Sequence, residues 1–119
     1  MGSGLNAAHL LNQGKGLAAI AEVLYRANRR GEADALMPEV SRLAANGQVD
    51  AFSITGTYAE AGELDHAFEW FDKALADRML VARFIRYGPE LDRLRTDPRF
   101  IELLRRHGRE KLADELSAH

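Results

Sequence analysis

His66 and Glu69 stand three residues apart with Asp65 beside them, which makes them a candidate metal-binding pair. On a helix that spacing puts both side chains on one face, but a carboxylate and histidine metal centre needs ligands from several helices. The pair occurs once, so a solvated helix face is the favoured reading. Asn12-Gln13-Gly14-Lys15-Gly16 has the outline of a phosphate loop. Position 9, however, is His where the motif needs glycine, position 16 is Gly rather than Ser or Thr, and no strand pattern precedes it. The remaining histidines, at 9, 107 and 119, are scattered, no serine lies in a G-x-S-x-G turn, and the chain has no cysteine. The expectation is a non-enzyme that uses neither cofactor nor metal.

Recognition by charge and by aromatic side chains is the chemistry that is left. Arginines at 83, 86, 93, 95, 99, 105, 106 and 109 could neutralise phosphates, but Glu90, Asp92, Asp97, Glu102 and Glu110 interrupt them, which disfavours nucleic acid as the partner. The net charge of -2 hides an asymmetry: residues 1–77 carry 6 basic and 11 acidic side chains, and residues 78–111 carry 10 basic and 5 acidic ones. The two ends should present opposite fields; nucleic-acid binding by the basic C-terminal region is one rival expectation, and self-association, by head-to-tail attraction or as a homodimer through a terminal helix, is the other.

In 119 residues with 46% hydrophobic content the chain can bury one small core. Without cysteines it must be held by packing alone, as reducing compartments require, and a cytoplasmic location is expected. No apolar run approaches the roughly 20 residues that span a bilayer, so no membrane partner is expected. Residues 1–4, Met-Gly-Ser-Gly, read as an expression remnant, leaving residues 5–119 as one domain.

The elements that must position these side chains read as helices throughout. Apolar residues fall at three- and four-residue steps through Ile20, Val23, Leu24 and Ala27, and again through Leu36, Val40 and Leu43. The Gly31-Glu32-Ala33-Asp34 segment between them recurs 31 residues later as Gly62-Glu63-Leu64-Asp65, which predicts two helix hairpins turning at Gly31 and Gly62. Asn46-Gly47 reads as a helix stop, and Phe52, Ile54, Tyr58 and Ala59 open the next helix. After Gly62, Leu64, Ala67, Phe68, Phe71, Ala74 and Leu75 form a wide apolar stripe with faces for two neighbours, and Trp70 is expected on a different side from Phe71. Met79 to Tyr87 reads as a shorter helix ended by Gly88-Pro89. Asp97-Pro98 starts another, reaching about Gly108, and Leu112, Ala113 and Leu116 keep helical spacing in a tail.

Residues Ile54 to Ala74 resemble a tetratricopeptide (TPR) repeat: Tyr58, Gly62, Ala67, Phe71 and Ala74 match that motif's aromatic, turn glycine, small residue, aromatic and small residue. The earlier hairpin looks like a degenerate copy, with Ala27 at the aromatic position and Leu36 and Leu43 at the small ones. The Leu91 to Phe100 segment with Leu103-Leu104 looks like the closing element found after the last repeat in many bacterial multidomain TPR proteins, where such arrays are often regulatory. The resemblance implies an all-α fold, a short right-handed solenoid of antiparallel helix hairpins with a C-terminal capping helix. Its repeats would cover about 17–47 and 48–81, its closing element 82–107 and its tail helix 108–119. Leu5 to Gln13 could be the last helix of a preceding repeat.

In TPR stacks the first helix of each pair lines a concave groove. The resemblance therefore implies a binding surface at Tyr25, Asn28 and Arg29, then Phe52, Ser53, Gly56 and Glu60, then Arg83, Arg86 and Tyr87. The implied function is a protein-protein interaction module that holds a peptide or partner helix, as a scaffold or regulatory part of a bacterial protein. Phe52 beside Ser53 and Gly56 would leave an apolar seat, Asn28 could bond a peptide backbone, and Arg83 with Arg86 could pair with an acidic ligand. The family's lysine and asparagine clamp for a terminal carboxylate is not reproduced, which argues against chaperone-tail binding.

Overall fold

The computed structural model describes residues 16–77 and 80–118, and these are all helix, turn or loop. Helix α1 covers 16–26, α2 Arg30–Ala45, α3 Ala51–Glu60, α4 Leu64–Leu75 and α5 Ala82–Tyr87. A 3₁₀ turn follows at Pro89–Leu91, then α6 Pro98–Arg106 and α7 Glu110–Ser117. The expected helix from Met79 starts at Ala82, and Met79 itself lies outside the described residues, as do the phosphate-loop resemblance and the Leu5 to Gln13 segment.

Three joints turn as expected. Gly47 and Gly108 take left-handed backbone conformations after α2 and α6, and the Asp97 carboxylate caps α6 by accepting the Arg99 N–H at 2.9 Å, with Pro98 at the first helical position. At the α1–α2 joint the expected turn residue is corrected. Gly31 lies within the first turn of α2, and the left-handed residue is Asn28, at φ 63°. Asn28 N–H donates to Tyr25 O at 3.0 Å, and Arg29 N–H to Leu24 O at 2.8 Å. At the α3–α4 joint Gly62, at φ 79°, donates to Ala59 O at 3.1 Å, and Glu63 N–H donates to Tyr58 O at 3.0 Å. The two turns close with the hydrogen-bond pattern also found at Gly47 and Gly108, and they stand 34 residues apart, not 31. In this register Leu24, Ala33, Met37 and Val40 correspond to Tyr58, Ala67, Phe71 and Ala74, so the degenerate assignments at Ala27, Leu36 and Leu43 give way to these. Ala33 and Ala67 are both fully buried, where a larger side chain would hold the paired helices apart.

Two apolar cores flank α3. The first gathers Ala18, Val40, Leu43, Ala44, Val49 and Ile54, and Trp70 packs on its edge. The second joins Ala67, Phe68 and Phe71 of α4 to Ile85, Leu91, Leu94, Phe100 and Leu104, and takes in Leu112 and Ala113 of α7. Phe71 stacks on Phe100 with ring centres 5.1 Å apart. Tyr58 reaches both cores, and its hydroxyl shares a 2.8 Å hydrogen bond with Ser41 on α2. The adjacent Trp70 and Phe71 face different cores, as their neighbouring helix positions require.

Candidate functional site

The ten expected groove residues divide by what they touch. Four of them lie on α3. Asp50 caps that helix by accepting the Ser53 N–H at 3.0 Å, and Ser53 Oγ donates back to Asp50 at 2.7 Å, so the Ser53 hydroxyl is held by the cap. Phe52 is half-buried, with its ring centre 6.0 Å from that of Phe84. Gly56 is buried because both neighbouring segments close over it. A side-chain carbon there would meet Glu22 Oε1 of α1 and Glu90 Cγ of the 3₁₀ turn, each at 2.8 Å. Glu60 lies between two guanidinium groups, Arg26 and Arg93, each at 3.4 Å, and so ties α1 to the closing segment.

The first-hairpin residues have structural partners. Tyr25 donates its hydroxyl to Asp34 of α2 at 2.6 Å, and Arg30 lies over its ring at 5.5 Å. Burial and then that carboxylate push the Tyr25 phenol well above its usual range, so it stays a neutral donor. Asn28 is the exposed turn residue, and Arg29 pairs with Glu32 one helical turn on. In α5, Arg86 is bonded to Glu115 of α7, with Nε 3.1 Å from the carboxylate. Arg83 is exposed and pairs with none of the described residues, and Tyr87 is 76% exposed.

Two clefts open beside α3, one toward α4, Leu80 and α5, the other toward α1 and the 3₁₀ turn. The larger, of about 390 Å³, has Ala51, Phe52, Ala74, Leu80 and Phe84 as its apolar lining and Asp50, Lys73, Asp77 and Glu90 as its polar lining. Lys73 Nζ sits over the Trp70 ring at 4.1 Å. The smaller cleft, of about 260 Å³, is lined by Ala18, Ala19, Glu22, Ser53, Thr57 and Glu90, so Glu90 is common to both. Burial raises the Glu22 carboxyl above its ordinary range; Arg26 opposes this, and the neighbouring Glu90 and Glu60 carboxylates reinforce it. The sequence reading missed Glu22, Phe84 and Glu90. A signal for Phe84 existed, since it lies one residue from Arg83 on the same short helix, whereas Glu22 and Glu90 meet only through the fold.

Most of the remaining candidates are internal ties. His66 lies 3.6 Å from Glu63 and 3.9 Å from Glu69 on its own exposed face, and its ring rests against Tyr58. His107 meets Asp72 at 2.6 Å, tying the end of α6 to α4. Of the eight arginines between 83 and 109, five are paired: Arg86, Arg93 with Glu60, Arg95 with Asp92, Arg99 with Asp65 and Asp97, and Arg105 with Glu110 and Asp114. Among the described residues no helix is long and apolar enough to cross a membrane. Comparison with family models, curated proteins and solved structures yields no match to this chain.

Proposed function

We propose that this chain is a TPR-like helical module that holds a peptide or partner helix on the face made by α1, α3 and α5. It acts without catalysis, as a regulatory or scaffold part of a bacterial cytoplasmic protein. In this reading α1–α2 and α3–α4 are successive repeats of a short right-handed solenoid, the segment from α5 to α6 closes it with α6 as the capping helix, and α7 is the tail helix. The 34-residue equivalence of the Asn28 and Gly62 turns, with Ala33 and Ala67 buried at the same offset, supports the repeat architecture. The observation that carries the function is the open, largely apolar cleft beside the touching rings of Phe52 on α3 and Phe84 on α5, lined also by Ala74 and Leu80, with Tyr87 exposed on the same short helix as Phe84.

Affinity capture from cytosolic extract tests this reading. The parent chain is compared with a Phe84→Ser, Tyr87→Ser variant whose helicity and melting are first shown to match the parent's. A protein retained by the parent and lost from the variant is the expected result; equal retention by both refutes binding at this face.

A second reading, self-association, is favoured by the α1 surface. Ile20 and Val23 are 53% and 57% exposed, and they face away from the buried Ala18 and Ala21. Sedimentation at two salt concentrations tests it, because an apolar contact persists at high salt and a charge-driven one weakens.

A further inference from the structure

The larger cleft offers an apolar floor, and the slot beside it offers negative charge. Phe52 and Phe84 touch each other, and the cleft beside them, with Ala51, Ala74 and Leu80, leaves room for one aliphatic or aromatic side chain; Phe84 is still half-exposed. The slot that shares Glu90 with this cleft has Glu22 and Glu90 as its charged lining residues, both carboxylates. The missing side chain at Gly56 lets them converge from opposite sides of α3. Neither forms a hydrogen bond or ion pair with any described residue, whereas the nearby Glu60 is already held by Arg26 and Arg93.

The cations that would have favoured an acidic ligand are differently placed. Arg86 is occupied by Glu115, Arg83 pairs with none of the described residues but lines neither cleft, Arg26 near Glu22 is already bonded to Glu60, and Lys73 is stacked on Trp70. Charge complementarity therefore selects a cation, and the apolar floor selects a neighbouring hydrophobic side chain.

We propose that the occupant of this face is a segment of a partner protein that seats an apolar side chain against the Phe52–Phe84 pair and places an adjacent Lys or Arg between Glu22 and Glu90. This rests on the interaction-module reading and reverses the ligand charge expected from Arg83 and Arg86.

Three labelled peptides of equal length test it by fluorescence anisotropy with the full chain: one alternating Leu with Lys, one alternating Leu with Glu, and one alternating Ser with Lys. The Leu–Lys peptide binds, and the other two bind at least about tenfold more weakly, because each lacks one of the two matched features. Phe84→Ser weakens the Leu–Lys peptide by about tenfold, as does Glu22→Gln combined with Glu90→Gln, while melting stays at or above the parent value. Preference for the Leu–Glu peptide overturns the charge assignment and leaves an interaction module standing. Equal binding of the Leu–Lys and Ser–Lys peptides overturns the apolar seat. Binding of none overturns the inference as a whole, and the extract capture with the Phe84→Ser, Tyr87→Ser variant then judges the module reading separately.

Discussion

In the α3–α4 hairpin the turn residue is Gly62 and the residue nine positions later is Phe71; in α1–α2 the same two places hold Asn28 and Met37. Both turns close with the same pair of hydrogen bonds, but the packing behind them differs. Phe71 is fully buried and stacked on Phe100, with a core on one side and the closing helices beyond it. Met37 is half-buried at the margin of the smaller core and also lines a surface cleft with Tyr25 and Pro38. Backbone geometry is thus repeated where side-chain packing is not. A left-handed turn needs only a residue that tolerates positive φ, whereas an aromatic at the ninth position pays off only with neighbours on two sides.

The largest expected consequence is unequal sensitivity to truncation. Phe71→Ala should cost about 3–5 kcal/mol in urea unfolding, and Met37→Ala less than about 2 kcal/mol, because a half-buried site can collapse or hydrate. Equal losses would break the distinction between the hairpins.

The turn assignment makes two substitutions differ in sign. Gly62→Ala forces a β-carbon into the left-handed region and should destabilise by about 1–2 kcal/mol. Gly31→Ala lies within α2 with nothing near the added carbon, and should stabilise by about 0.5–1 kcal/mol. Destabilisation by Gly31→Ala would restore the 31-residue register.

Glu22 sharpens the comparison on the side of charge. Its folded carboxyl is raised above the ordinary value of 4.5, first by burial, so the folded chain holds a proton that the unfolded chain has already released. Stability from this group is present below pH 4.5 and is lost as pH rises through the higher folded value. Glu22→Gln should therefore raise the melting midpoint at neutral pH and give no advantage below pH 4.5, as thermal melts across that range would reveal. The smallest effect belongs to Arg86 and Glu115, an exposed pair: a double-mutant cycle with alanine at both should give a coupling of about 0.5 kcal/mol.

Much of the helix order was legible because glycine, proline and aspartate punctuate it. Gly47, Gly62, Asp97-Pro98 and Gly108 each sit where the chain turns or restarts. The first turn was misplaced because asparagine can take the left-handed conformation and the local Gly-Glu pattern drew attention to Gly31. The candidate site was legible in part. Phe52, Gly56 and Tyr87 lie on or beside the open face, but Tyr25, Glu60 and Arg86 are tied to partners distant in sequence. Such pairings depend on which helices come together, and one-dimensional periodicity carries no information about them. The carboxylate pair over Gly56 is of the same kind.

Chemical-shift mapping of the isotopically labelled chain with the Leu–Lys peptide tests most directly whether the face of α1, α3 and α5 is the binding surface. Shifts are expected to concentrate at Glu22, Phe52, Gly56, Phe84, Tyr87 and Glu90, with Glu69 and Glu102, which line a separate cleft between α4 and α6, unchanged. Shifts centred on Asp65, Glu69 and Glu102, with the Phe52 and Phe84 signals unmoved, would contradict it.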